Sequence, residues 1–318
     1  MSVALDQAGA GGCPLCAAIR RLIRAVAPVL VVVGVIIALW YGAATQMNKP
    51  WTLDAANRAG VELSTAQIIA DTMNQERPVL PTPHQVLAEL WDTAVAEPVL
   101  RERRGSLTGN PRSLVFHAYQ TLAPTLLGFV VGTLAGILLA IGIVHNRAMD
   151  LSVMPWAIAS QTIPILAIAP IVIVVLNAVG LSGLVPKSLI SAYLSFFPVA
   201  VSMVKGLRSP NGMDLDLLRT YSASGSETFW KLRLPASVPF LFTSLKVAVA
   251  AALVGTIVAE LPTGARFGLG ARLLTGSYYG QTIQIWSALF MAAICAAVLV
   301  SLIGMIERAT LKRMGLNR

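Results

Sequence analysis

Apolar residues in this chain gather into long unbroken runs instead of alternating or marking one face of an amphipathic helix. Six runs, at 26–44, 120–144, 152–176, 187–204, 240–260 and 285–305, come near the roughly 20 residues that cross a bilayer core. Their length without alternation excludes a β-barrel, and in lipid only helices or closed barrels satisfy the backbone. The pattern predicts an all-α integral membrane protein with about six transmembrane helices.

The intervals between the runs divide the chain into an N-terminal tail (1–25), a first span (26–44), an extracytoplasmic segment (45–118), a five-helix core (119–306) and a C-terminal tail (307–318). The core contains a long connection at 205–239. In the extracytoplasmic segment Leu80-Pro81-Thr82-Pro83 predicts an extended breaker, because each proline fixes its own φ and restrains its predecessor. An amphipathic helix is expected at 84–96, and Arg101-Glu102-Arg103-Arg104-Gly105 reads as a solvated loop. Pro155, Pro164 and Pro170 predict kinks in the third span, while Pro235 and Pro239 mark the entry to the fifth. Gly128, Gly132, Gly136 and Ala140 lie four apart, a small-residue ridge of the kind that lets two helices approach closely in lipid. Arg20, Arg21 and Arg24 before the first run, with Gly42-Ala43-Ala44 after it, also resemble a cleavable leader; the run's length favours a retained span.

Composition agrees with the pattern. The 318 residues are 56% hydrophobic and 12% charged, with a mean hydropathy of +0.71. One soluble core could not bury that much apolar surface, so a soluble enzyme is excluded. The formal charge of +9 follows topology. With the N-terminus inside, cytoplasmic segments hold Arg147, Lys205, Arg208, Arg219, Lys231, Arg233, Arg308, Lys312, Arg313 and Arg318 besides the three N-terminal arginines. The short outer loops hold Lys187, Arg266 and Arg272. The positive-inside rule then predicts a bacterial inner-membrane protein with both termini cytoplasmic, and accounts for the basicity without nucleic acid.

The residues offer little for catalysis or cofactors. Cys13-Pro14-Leu15-Cys16 is a lone CxxC, and His84, His117 and His145 show no ligand spacing, so no metal or other cofactor is expected. None of the six lysines follows a glycine, so there is no P-loop. A secondary transporter or channel, the alternative reading, normally buries ionisable groups near mid-span. Here Glu260 is the one acid placed at a span boundary, and an outer-face interaction with Arg266 or Arg272 is as good a reading of it as a pathway role. Candidate pathway residues are the polar ones at membrane depth: Ser160, Gln161 and Thr162 just before Pro164, then Ser191, Tyr193 and Ser195, then Thr256 and Glu260. For each, lining a pathway and bonding between helices are equally good readings.

The connection at 205–239 is amphipathic. Leu215, Leu218, Tyr221 and Ser222 fall at helical spacing, and Phe229, Trp230, Leu232 and Leu234 follow. A helix exposing such side chains suits either a partner's groove or the membrane surface. Asp216-Leu217-Leu218-Arg219-Thr220-Tyr221-Ser222 and Leu232-Arg233-Leu234-Pro235 resemble the loop signature of ATP-binding-cassette (ABC) importer permeases. That signature reads EAA, three residues, Gly, nine residues, then I-x-L-P. Asp216 stands at the Glu position and Ser222 at the Gly position, while Leu217 and Leu218 replace both alanines. Further likenesses run in order through Leu80–Pro83, Pro164–Pro170, Phe196-Phe197-Pro198, Val258-Ala259-Glu260 and Gly268-Leu269-Gly270. Together they resemble the nitrate/sulfonate/taurine-type permeases over about 80–310.

This resemblance implies a type I ABC importer permease fold and a non-catalytic subunit. Its implied partners are a cytoplasmic ABC ATPase dimer, a second permease subunit (identical or paralogous), an extracytoplasmic solute-binding protein and the lipid bilayer. The coupling element implied is Asp216, Thr220, Tyr221, Ser222, Ala223, Ser224, Gly225, Phe229, Leu232, Leu234 and Pro235. The solute implied is a small organic one, either a sulfonate- or nitrate-like anion or a heterocycle such as a thiamine precursor, pyrimidine or flavin.

Overall fold

A computed structural model describes residues 14–100, 111–262 and 264–315, without the side chains of 14–26 and 98–100. Cys13 and Arg101–Gly105 lie outside this set, and so does the Cys16 side chain. Contacts divide the chain into two units, up to Val86 and from Leu87 onward.

The first unit is dominated by α1, Pro14–Ala59. Its stretch Val29–Leu39 is apolar and exposed, as suits a helix surface that lipid covers. Past residue 44, the expected end of the span, the helix runs on for fifteen residues as a polar extension. The short α2 (Thr65–Met73) packs on that extension. Between α2 and α3 (Pro83–Trp91) lies the proline-rich breaker, held by one side chain. Asn48, fully buried, accepts from the N–H groups of Val79 (2.9 Å) and Leu80 (3.1 Å) and donates to the carbonyls of Thr72 (3.1 Å) and Leu80 (3.0 Å). A segment whose prolines cannot donate is thus supplied with partners from a helix more than 20 residues upstream.

In the second unit the helix begun by α3 widens to π-helical geometry over Asp92–Leu100. The core is built by α4 (Leu114–His145), α7 (Leu184–Leu207) and α10 (Leu234–Glu260). The glycine ridge of α4 does what its spacing predicts. A methyl group added at Gly132 would lie 2.5 Å from the Ala192 carbonyl oxygen, and one at Gly136 2.8 Å from that of Phe196. The backbones of α4 and α7 are therefore in contact along the ridge. Around it, Ala140, Ile143, Val199, Met203, Leu207 and Ala248 form a buried apolar cluster. The last span is α12 (Thr282–Arg313).

Among the described residues five helices are long and apolar enough to cross a membrane, or six if α5 (Arg147–Ser160) and α6 (Ile165–Ala178), a bent pair, form one span. The kinked single helix expected at 152–176 is corrected to two half-helices bent by 100° across Gln161–Pro164. Pro164 removes a donor and disfavours helical geometry at Ile163, whereas Pro155 and Pro170 are accommodated inside helices. The carbonyls freed at the break find hydroxyls. Ser160 Oγ donates to Ala157 O (2.8 Å), Thr162 Oγ1 to Ala159 O (2.7 Å), and Tyr193 Oη from α7 to Ser160 O (2.7 Å). Irregular backbone at membrane depth requires such partners.

Candidate functional site

The connection from α7 to α10 folds as two short helices around a tight turn. Arg208 caps the C-terminus of α7 and pairs with Asp150 at the start of α5 (2.9 Å). Then α8 (Gly212–Thr220) runs with no buried residue. Met213 is 83% exposed, Tyr221 77% and Leu217 56%. The Asp216–Arg219 pair (2.9 Å) is solvated at both ends and adds little. An isolated nine-residue helix is marginal in water, and among the described residues α8 has no buried side chain to hold it in place.

The turn after α8 is a Schellman cap. The Ala223 N–H reaches Leu218 O (3.0 Å) and the Ser222 N–H reaches Arg219 O (2.9 Å). Ser222 takes φ = +55°, and no other non-glycine residue among those described has a positive φ. Glycine is the usual residue at this position of the cap, which is the physical reason the signature matched here has a glycine there. Ser224 then opens α9 (Gly225–Thr228) with a capping box. Its Oγ accepts from the Glu227 N–H (3.2 Å), while Glu227 Oε2 accepts from the Ser224 N–H (2.9 Å).

α9 passes without interruption through a π-helical turn, Phe229–Arg233, into α10. Pro235 and Pro239 therefore do not mark the start of the helix that carries the fifth span, which begins at Gly225. Pro235 lacks the N–H that would serve the carbonyl four residues before it, and the helix widens there instead of ending. Phe229 is buried edge-on against His145 at the end of α4 (5.2 Å), and Leu234 joins the apolar cluster; neighbouring Trp230 is 63% exposed. The connection is thus anchored at Phe229 and presents Tyr221 and Trp230 outward.

A second constellation lies at the other end of α7 and α10. Glu260 is fully buried. Lys187 Nζ is 3.3 Å from its carboxylate, Thr121 Oγ1 is 3.1 Å from both oxygens, and the Gly270 N–H donates at 2.8 Å. The expected partners, Arg266 or Arg272, are corrected to Lys187. Glu260 is one of three side chains receiving successive N–H groups at the start of α11 (Leu269–Tyr278). Gly268 donates to His117 Nδ1 (3.1 Å) and Leu269 to Thr121 Oγ1 (2.8 Å). That arrangement places the imidazole proton on Nε2, which donates to Pro111 O (3.0 Å). A Cβ at Gly268 would fall on the Glu260 carboxylate, and Gly268 has φ = +135°. The Val258–Glu260 and Gly268–Gly270 motifs are therefore the two halves of one cap. On the next turn of α11, burial pushes the Arg272 guanidinium below its usual range, partly offset by Glu89.

The pathway candidates separate into two groups. Ser191, Ser195 and Thr256, like Glu260, are fully buried where α4, α7 and α10 meet. Ser191 Oγ donates to Ala252 O (3.0 Å), and Thr125 Oγ1 donates to Thr256 Oγ1 (2.9 Å). Ser160, Gln161, Thr162, Pro164 and Tyr193 gather at the α5–α6 break, where Gln161 and Thr162 are exposed. Beside this break α4, α6 and α7 line an open apolar groove of about 380 Å³ formed by Val131, Ile168, Val172, Tyr193 and Phe196. Sequence reading passed over Thr121 and Thr125 because a hydroxyl inside a long apolar run has no pattern of its own, and it weighed His117, just before that run, only as a metal ligand.

Residues 132–315 match the family model described as binding-protein-dependent transport system inner membrane component. Among similar proteins is the formylaminopyrimidine transport permease protein of Halalkalibacterium halodurans, 35% identical over 159 residues, which are 50% of this chain and 62% of that one. The riboflavin transport system permease protein of Chloroflexus aurantiacus is 28% identical, covering 72% of this chain and 78% of its own length. A putative aliphatic sulfonates transport permease protein of Bacillus subtilis is 24% identical, covering 74% and 78%.

Proposed function

We propose that this chain, which belongs to the family of binding-protein-dependent transport system inner membrane components, forms the translocation pathway of an ABC importer for a small organic solute. ATP hydrolysis takes place on a separate cytoplasmic ATPase dimer docked at the α7–α10 connection. The observation that carries this reading is α8, which buries none of its residues, with Tyr221 and Trp230 exposed on either side of the cap at Ser222. A short helix with apolar side chains in solvent needs a partner's groove to hold it. Phe229 and Leu234 fix its base to α4 and the apolar cluster, and Arg208 ties it to α5 through Asp150. A force applied at α8 thereby reaches both α7 and the bent α5–α6 pair. A second permease subunit and an extracytoplasmic binding protein complete the assembly.

The pathway runs beside the α5–α6 break, where Gln161 and Thr162 are exposed; the buried hydroxyls of Ser191, Ser195 and Thr256 lock the helices that frame it. The solute belongs to the range for which the similar permeases are named, from sulfonates to pyrimidine and flavin heterocycles.

Two experiments test this reading. Ser222→Gly should keep the ATPase bound and remain active, since glycine adopts the cap's φ without strain. Ser222→Glu or Ala223→Glu should insert normally but lose solute-stimulated hydrolysis by tenfold or more. Normal stimulation in the glutamate variants would remove the coupling role. Both termini are placed in the cytoplasm, so a cysteine at position 225 should react with an impermeant maleimide only after the membrane is opened. One at position 278, where the native tyrosine is 79% exposed, should react in intact spheroplasts, and the reverse pattern would invert the topology.

A further inference from the structure

At the Lys187 end of α7 a pocket of about 280 Å³ opens between four separate chain segments. Gln120 comes from α4, Asn177 from the end of α6, Ser182 from the connection before α7, Lys187 from the first turn of α7, and Arg266 from the loop between α10 and α11. Two cationic side chains therefore line the pocket, and none of its lining residues is acidic. The nearby carboxylate, Glu260, is fully buried behind Lys187. It neutralises the lysine but leaves the guanidinium of exposed Arg266 with no ion pair among the described residues. Gln120, Asn177 and Ser182 make no side-chain hydrogen bond among the described residues either.

Four polar side chains with unused donors, brought from distant parts of the sequence into one concavity with a net positive charge, are chemistry aimed at an anion. A guanidinium offers paired N–H groups that match two oxygens of a carboxylate, sulfonate or phosphate. Amide and hydroxyl donors can serve the remaining oxygens. The first turn of α7 adds the positive end of its dipole, with Gly183 as a cap that contributes no side-chain bond. The loop conformation that places Arg266 is itself fixed, because the chain two residues later is clamped by His117, Thr121 and Glu260.

We propose that this pocket is an oxyanion-binding site, with Arg266 as its principal ligand and Gln120 and Asn177 orienting the bound group. That the oxyanion is carried by the imported solute rests on the permease reading; the existence of the site does not. A lipid phosphate offers the same chemistry, so the source must be separated experimentally.

The test uses the full chain, with whatever ATPase co-purifies, in phosphate-free maltoside micelles at low ionic strength. Binding of radiolabelled sulfate and methanesulfonate is measured by equilibrium dialysis, and retained phospholipid by native mass spectrometry. Arg266→Gln and Asn177→Leu are the informative variants, since both positions are exposed; Lys187 is left intact because it holds Glu260. Wild-type binding of methanesulfonate, weakened at least tenfold in Arg266→Gln and suppressed by salt, assigns the site to a soluble oxyanion. Phospholipid retained by the wild type and lost in the variant assigns it to lipid phosphate. If neither ligand binds, or if Arg266→Gln binds both as the wild type does, the proposal is overturned. An anion site on a chain that brings no ATPase would overturn the permease reading alone, and an active ATPase complex without anion binding would overturn the site alone.

Discussion

Glu260→Ala should lower the unfolding free energy by roughly 3–5 kcal/mol, the usual cost of leaving one member of a buried ion pair without its partner. The stranded group is Lys187, whose side chain is 11% exposed. The same substitution removes the acceptor of the Gly270 N–H and of the Thr121 hydroxyl. Lys187→Met should also destabilise, because it leaves the fully buried Glu260 carboxyl without its cation. The double variant Glu260→Gln with Lys187→Met should recover most of the loss. Glutamine keeps an oxygen for Gly270 and an amide of similar shape, and no net charge remains buried. Unfolding in mixed maltoside and dodecyl sulfate micelles reads Glu260→Ala and the four proteins of the cycle: wild type, Glu260→Gln, Lys187→Met and the double variant. The coupling between the two sites should be 1.5 kcal/mol or more. Additive single effects, each under about 1 kcal/mol, would mean that α11 is held by its apolar contacts and that the carboxylate is incidental. A second readout is local: without Glu260 the start of α11 loses one of its three caps, so the amides of Leu269 and Gly270 should exchange faster than those of α12.

How much of this was legible in the sequence depends on the range of the interaction responsible. The spans could be read because lipid requires long apolar runs, and the α4 ridge because residues four apart share one face. The helix–turn–helix of the α7–α10 connection could be read as a matched spacing, but the reason for its glycine position appeared only with the positive φ of Ser222. The break at Gln161–Pro164 was anticipated as a kink. Proline identity alone does not separate Pro164, which ends a helix, from Pro155 and Pro170, which sit inside helices. What separates them is tertiary: Tyr193 supplies the hydroxyl that makes the break affordable at Ser160. The Glu260 node was the least legible feature. Its partners lie 139, 73 and 10 residues away in sequence, and a lysine in a short loop looks like a topology signal until the fold buries it. Val258–Glu260 and Gly268–Gly270 were both visible as motifs, yet nothing in either states that the second caps on the first.

Gly132→Leu should abolish folding of the core, and Gly132→Ala should destabilise it by about 1–3 kcal/mol, the usual cost of overpacking a rigid contact. The obstacle is backbone: the added methyl group meets the Ala192 carbonyl oxygen at 2.5 Å, and a backbone cannot swing aside as a side chain can. Relief requires moving α7 away from α4 along its length. That would separate Gly128 and Gly136 from their contacts and loosen the Ser195 hydroxyl bridge to Gly128 O (3.4 Å). In lipid no hydrophobic force would pull the helices back together, because the acyl chains are as apolar as the exposed faces. Gly304 of α12 provides the control. A Cβ there meets only the Lys246 Cε atom, at 4.0 Å, so Gly304→Ala should be neutral or stabilise by up to about 1 kcal/mol through helix propensity. Both alanine variants place the same methyl group in a membrane-spanning helix, and only the Gly132 one faces a neighbouring backbone. Thermal unfolding in a single detergent compares them directly. Equal stability of the two would show that α4 and α7 are not held together by close backbone approach.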